Sequence, residues 1–362
     1  MLGIVTPTKN RSEYIIRQLY YYVSVECPYT IYIGDSSDAA HEKRILSVID
    51  KLRGRVKVVY RKIDSSVCSH GVLGELVGLV KEKYITYVGD DDFLVSDSLG
   101  KCIEFLEVNP EYVTVQGKGV LFGLDKKGAY GDIEAFGLYS SRGCEMETPI
   151  QRLHNILNDY WVLDFSVFRT EEYRQIADCR NMQSTGFVSD AQFTEILIGW
   201  LSLIRGKSKG LDCLYLFRQV GHHRYDWGGG TLEWITKPDW RSSYKIFHDN
   251  LTEALTQQAN ITREAASDIV KQAFWKHFAG GVCRLIQRQK ASKKRIIAFR
   301  DKVKRIPCIK YLYKNIKRRI PGVQNAFCLE NLLKRSSPYH KDFMSVYNVI
   351  TSSEEKIASE IF

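Results

Sequence analysis

Along the first 125 residues the apolar positions switch repeatedly between two periods. LGIVTPT (2–8), YTIYIGDSSD (29–38), RVKVVYRK (55–62) and YITYVG (84–89) are short apolar or alternating runs, which predict strands. Between them lie RSEYIIRQLYYYVS (11–24), DAAHEKRILSVIDKLRG (38–54), GVLGELVGLVKEK (71–83) and VSDSLGKCIEFLEVNP (95–110), whose apolar residues recur at helical spacing. The first run is expected to end at Pro7, Ser12 is the expected cap of the first helix, and Gly54 and Pro110 are expected stops. EYVTVQGKGVLFG (111–123) adds one or two strands. Strands and helices alternating at this length predict an α/β fold of the Rossmann-like kind, a mostly parallel sheet flanked by helices.

The pattern loosens beyond residue 125. PIQRLHNILNDYW reads as a helix, VLDFSVFRT as a strand, SDAQFTEILIGWLSLIRGK as a helix capped by Ser189, and LDCLYLFRQVGHHRYDWGGG as a strand running into a glycine turn. From Leu251 onward the pattern is helical, with breaks at Gly280-Gly281, Pro307 and Pro321. The expected division is a domain over 1–235, with halves 1–125 and 126–235, followed by a helical region over 251–362.

Charge changes this picture at one place. Of 362 residues, 44% are hydrophobic and 26% charged, ordinary for a globular chain, and the net charge is +10. Residues 284–319 contain 15 Lys or Arg against one acid, Asp301, so this stretch alone carries +14 and the remainder carries 10 − 14 = −4. The 9 cysteines fall singly, with no CxxC or Cys/His spacing, as expected of reduced thiols in a cytosolic protein. No secretory signal and no span of ~18 uncharged apolar residues is evident, so the sequons at Asn250 and Asn260 read as chance matches.

In open α/β sheets, ligands bind at the carboxyl ends of the strands. Here those ends are polar: Thr6 to Arg11, Asp35 to Asp38, Asp64 to Ser66, and Asp90 to Asp92. Three adjacent carboxylates repel one another unless something positive neutralises them. Mg²⁺ or Mn²⁺ is commonly held by one or two carboxylates together with substrate phosphates. A helix N-terminus would account for one or two of the aspartates, less well for all three. Arg218, His222, His223 and Arg224 stand near the glycine turn, where arginine can grip a diphosphate and imidazole can complete a metal shell. GKGVLFG near Gly117 lacks dinucleotide-loop spacing and precedes no helix.

IVTPTKNR, YIGDSSD and YITYVGDDDF, in that order, resemble a bacterial family 2 glycosyltransferase of the kind that builds surface polysaccharides, over roughly residues 1 to 225. The resemblance implies the A-type glycosyltransferase fold with a nucleotide-sugar across the carboxyl edge. It implies that Thr6, Pro7 and Thr8 line the base and ribose pocket with Arg11 nearby, and that Asp35 meets the base. Asp90, Asp91 and Asp92 would form the acidic motif, with Asp91 or Asp92 on Mn²⁺ or Mg²⁺, His222 a further metal ligand and Arg218 on the donor. The family commonly has Asp-x-Asp-Asp here, and Gly89 stands where the first Asp would align. Asp190 matches the family's catalytic base, although a carboxylate beside Ser189 also suits a helix cap; Glu195 is the spare candidate.

The expected partners are therefore a nucleotide-sugar donor, a glycan or lipid-linked acceptor and an anionic membrane surface, at the inner face of the cell membrane. Nucleic acid is not expected, since the basic stretch has no recognised nucleic-acid motif and interleaves its charges with Ile296, Ile297, Phe299, Tyr311 and Leu312. The competing reading is a non-catalytic α/β scaffold whose basic region binds nucleic acid or a membrane.

Overall fold

The computed structural model describes residues 1–67, 69–139, 141–158, 161–180, 191–221, 238, 240–281, 283 and 327–362. The expected alternation is present: β1 (Leu2–Thr8), α1 (Ser12–Ser24), β2 (Thr30–Asp35), α2 (Ala39–Lys51), β3 (Lys57–Lys62), α3 (Ser69–Leu79), β4 (Tyr84–Tyr87), β5 (Phe93–Leu94) and α4 (Ser96–Val108). Then come β6 (Tyr112–Leu124), β7 (Ile133–Tyr139), α5 (Pro149–Asn158), β8 (Val167–Arg169), α6 (Thr170–Arg180), α7 (Ala191–Arg205) and β9 (Lys207–Gln219). Helices α8 (Trp240–Ala259), α9 (263–281), α10 (Leu329–Leu332), α11 (His340–Ile350) and α12 (Glu354–Ile361) complete the described chain.

The strands form one 9-stranded sheet in the order β3-β2-β1-β4-β8-β6-β9-β5, with β7 paired to β6. β1 to β4 run parallel, and β6 and β9 run with them across the short antiparallel strand β8, so most of the sheet shares one direction. The sheet is mixed α/β, mostly parallel, and flanked by helices.

Along β1, Leu2 and Ile4 enter one core, shared with α1, α2 and α4, while Val5 enters the other, shared with α3, α5, α6 and α7. Gly34 permits the close approach of α3: a Cβ there would stand 2.5 Å from Val72 Cγ1 and 3.1 Å from Leu76.

Four expectations need correcting. β1 does not end at Pro7 but pairs through Thr8 with Asp35. The β4 side of β1 is paired only as far as Val5, whose carbonyl accepts from Val88 N, so the N–H that Pro7 lacks faces no ladder. Ser12 is the first helical residue; the cap position is Arg11, with no capping side-chain bond. VLDFSVFRT yields only the three residues of β8, because the chain turns first, Ser166 N donating to Leu163 O at 2.9 Å. The C-terminal helical region begins at Trp240 rather than Leu251.

The late helices pack against the earlier ones. Phe247 of α8 and Phe274 of α9 join Trp200 of α7, with ring centroids 5.4 Å apart for Trp200–Phe247 and 5.8 Å for Phe247–Phe274. Phe343, Ile350 and Ile357 of α11 and α12 lie in the core that contains α1. No helix among the described residues is long and apolar enough to cross a membrane.

Candidate active site

The carboxyl ends of β1, β2 and β4 meet at one place. After β1, Asn10 takes a left-handed conformation (φ 55°), its N–H donating to Ser37 Oγ at 2.7 Å and its Oδ1 accepting from Asp38 N at 2.8 Å. That bolts the first loop to the second and delivers Arg11 over the turn that follows β4.

Arg11 bridges two carboxylates, Nη1 to Asp90 Oδ1 at 2.9 Å and Nη2 to Asp91 Oδ2 at 2.8 Å, with its guanidinium 4.2 Å from the Tyr14 ring centroid. Thr8 Oγ1 donates to Asp90 Oδ2 at 2.7 Å. Asp92 accepts from Gln219 N at 2.9 Å and lies 3.5 Å from Arg218 Nε. Arg218 in turn stacks over Phe165 (4.6 Å) and Tyr139 (5.2 Å). Two arginines, one from each half of the sheet, thus face the three aspartates.

Asp90 and Asp92 are buried, whereas the Asp91 side chain keeps 26% of its exposure. Burial raises both Asp90 and Asp92 to about 7, Asp91 adds to the rise, and Arg11 and Arg218 oppose it. At both aspartates burial outweighs the arginines that face them. Burial also outweighs the nearby carboxylates at Arg17, which is lowered to about 10.

The same turn is held from behind by α1. Gln18 Nε2 donates to Gly89 O and Asp92 O, each at 2.8 Å, and Arg17 Nη2 donates to Asp91 O at 2.8 Å. Both side chains are buried.

No protein-family profile and no curated protein sequence matches this chain. Solved structures do. The S. aureus TarS fragment 1–349 in complex with UDP-GlcNAc superposes with a TM-score of 0.52 at 12% identity, covering 77% of this chain and 72% of that one. The same fragment in complex with UDP gives 0.51 at 13% identity with the same coverage, and the longer TarS structure gives 0.50 at 12%, covering 76% of this chain and 43% of that one. The chain shares its fold with TarS.

On this TarS-like fold the expected site residues divide into three groups. Thr8, Arg11, Asp90, Asp91, Asp92 and Arg218 come together as described. Thr6 and Asp35 sit at the same edge but are fully buried: the Thr6 hydroxyl donates to Gln18 Oε1 at 3.2 Å, and Asp35 accepts from Tyr60 OH at 2.7 Å and from Ser37 N at 2.8 Å. Pro7 lies between them, half-buried. Asp190, Ser189, His222, His223 and Arg224 lie outside the described residues, as does the basic stretch 284–319. Glu195 falls in α7.

Among the described residues no three metal-ligating side chains converge. Two carboxylates nevertheless fit a hard cation that takes its other ligands from phosphate and water. A Cβ on Gly89 would stand 3.0 Å from Asp91 Oδ1 and 3.3 Å from Asp92 Oδ2, so oxygens of both aspartates border one space that the glycine leaves open.

Arg17 and Gln18 were not among the expected site residues. The trace they leave in the sequence is a charged and an amide residue side by side within IIRQLYYY, where an amphipathic helix would bury apolar side chains.

Proposed function

We propose that this protein is a glycosyltransferase that moves a sugar from a nucleotide-sugar to a glycan or lipid-linked acceptor, in surface polysaccharide synthesis. The observation that carries the reading is the pairing of two arginines with three aspartates at the carboxyl edge of the sheet. That set offers cationic groups to a diphosphate and carboxylates to its counter-cation. The likeness to TarS bound to UDP-GlcNAc and to UDP supports it at the level of the fold.

Asp91 and Asp92 would hold Mn²⁺ or Mg²⁺. A cation there supplies neutralisation of the charge that develops on the departing diphosphate, worth several kcal/mol of barrier. Arg11 and Arg218 orient the diphosphate through charge-assisted hydrogen bonds, and Thr8 holds Asp90 in place. The N-terminus of α1, which begins at Ser12 beside Arg11, adds a favourable dipole for an anion. Thr6, Pro7 and Asp35 shape the wall on the β1–β2 side, where the base would lie. Asp190 is the proposed base for the acceptor hydroxyl, and His222 a proposed further metal ligand.

The basic stretch 284–319 is proposed to hold the enzyme on the anionic inner face of the membrane, near a lipid-linked acceptor; each basic residue close to such a surface contributes about 1 kcal/mol. Replacing its lysines and arginines with glutamine, with residues 327–362 retained, should abolish salt-sensitive co-sedimentation with anionic vesicles. Unchanged binding would remove the membrane role. Cutting the chain near Gly281 is not an equivalent test, because it also strips Phe343, Ile350 and Ile357 from the core.

The activity itself is tested by incubating the full chain with a panel of UDP- and GDP-sugars and Mn²⁺, and measuring the nucleoside diphosphate released. Release from one donor class, lost in EDTA and in the Asp91→Asn/Asp92→Asn variant, is the expected result. Release from no donor, by a chain that also binds none, would overturn the reading.

A further inference from the structure

The acidic turn has little to hold it in itself. Between Gly89 and Asp92 its one internal backbone hydrogen bond among the described residues is Asp92 N to Gly89 O at 3.2 Å. Its other restraints on the carbonyl side come from two consecutive residues of α1. Gln18 spans the turn, its amide nitrogen 2.8 Å from Gly89 O and 2.8 Å from Asp92 O, while its own Oε1 is fixed by the Thr6 hydroxyl. Arg17 holds a third carbonyl of the turn, Asp91 O, at 2.8 Å.

Arg17 is unusual in its cost. It is fully buried, its Nε has no hydrogen-bond partner among the described residues, and no carboxylate lies within ion-pair distance of it there. Its guanidinium instead sits 4.8 Å from the Phe93 ring centroid and 5.3 Å from that of Tyr14. A buried charge without a paired carboxylate is a poor contributor to stability, and an apolar residue of similar volume would commonly do as well or better there. Its other terminal nitrogen, Nη1, donates to Ala129 O, in the connection between β6 and β7. Two residues on, Gly131 N donates to Ile350 O at the end of α11, at 3.0 Å.

We infer that Arg17 and Gln18 are positioning residues for the site: they fix the carbonyls of Gly89, Asp91 and Asp92 from behind and so set the direction in which the three carboxylates face the ligand. Arg17 extends the brace through the β6–β7 connection to α11. This rests on the reading of the turn as the place where a nucleotide diphosphate binds. Neither side chain touches the cleft; they act through the backbone of the residues that do.

The test compares Arg17→Met, Gln18→Leu and Arg17→Lys with the unsubstituted full chain. Hydrogen exchange of the peptide spanning 88–95 reads the brace without any ligand, and calorimetric binding of UDP and GDP with Mn²⁺ reads its consequence. Losing one charge-assisted or two neutral hydrogen bonds to the turn should speed exchange of that peptide roughly tenfold or more. Peptides covering β2 and β3 should exchange at close to the unsubstituted rates. Nucleotide affinity should fall by a similar factor in Arg17→Met and less in Arg17→Lys, which can still donate to one of the two carbonyls. If exchange over 88–95 is unchanged in Arg17→Met and Gln18→Leu, or accelerates equally throughout the molecule, the brace does not exist. If exchange accelerates locally but affinity stays unaltered, it has no part in the site. A chain that binds neither nucleotide before any substitution would sink the reading of the site itself, and the exchange result would then decide the brace alone.

Discussion

The acidic turn has two sides, and they are built from different kinds of contact. On the cleft side, Arg11 and Arg218 meet carboxylates, charge to charge, with 19% and 31% of their side chains exposed. On the far side, Arg17 and Gln18 meet the turn only through its backbone carbonyls and are buried. Ion pairs at a cleft can be exchanged for ligand contacts, since water and an incoming anion or cation can take over each partner. Hydrogen bonds to buried carbonyls cannot be exchanged without leaving an acceptor unsatisfied, at about 1–3 kcal/mol. The arginine at position 11 and the arginine at position 17 belong to one helix and its cap, yet one is suited to give way and the other to stay.

Removing the carboxylates should have the largest effect. Asp91→Asn/Asp92→Asn takes away the cation's ligands, and if that cation supplies several kcal/mol to the transition state, turnover should fall by ~10³ or more while the protein remains folded. Turnover measured per folded molecule checks this, and full activity in the double variant would break the distinction between the two sides.

Arg11→Gln comes next. It leaves the turn braced but takes one guanidinium from the diphosphate, so nucleotide binding should weaken by about 1.5–3 kcal/mol, or roughly 10- to 100-fold, with only a small change in thermal midpoint. Titration calorimetry reads both the affinity and, through the heat, whether the partner was a charge. An equal loss of stability and affinity would make Arg11 a structural residue rather than one that meets the ligand.

A smaller effect follows from protonation. Asp90 and Asp92 are raised in the folded protein to about 7, above the ~3.9 of an unfolded aspartate, so each favours the folded state in its protonated form. Their contribution is present below about pH 4 and is lost as pH rises to about 7 and beyond. The ligand-free protein should therefore lose thermal stability from pH 5 to pH 8 more steeply than Asp90→Asn or Asp92→Asn does. Parallel pH profiles would mean that the arginines neutralise the turn fully.

The first half of the sheet was legible because each strand and helix there announces itself by its own period, and a βαβ chain leaves little freedom in how such units pack. The polar strand ends could be read as one edge for the same reason. β8 was not legible: Leu163, Phe165 and Val167 form an apolar run, but the first two are buried by a turn and only the last by a strand. The rear of the site was not legible either. Arg17 and Gln18 stand at ordinary helical positions, and their meaning depends on a turn more than 70 residues away in the chain. The docking of α11 against α1 likewise depends on which apolar face meets which, and a hydrophobic period does not encode that.

The central claim is that the cleft side of the turn exchanges its internal ion pairs for a diphosphate and a divalent cation together. Titrating UDP and GDP into the full chain, with and without Mn²⁺, tests it most directly. The account predicts that one nucleotide binds, that Mn²⁺ strengthens its binding, that the nucleotide strengthens Mn²⁺ binding by the same factor, and that this coupling vanishes in Asp91→Asn/Asp92→Asn. Nucleotide binding indifferent to Mn²⁺ and undiminished in that double variant would contradict it.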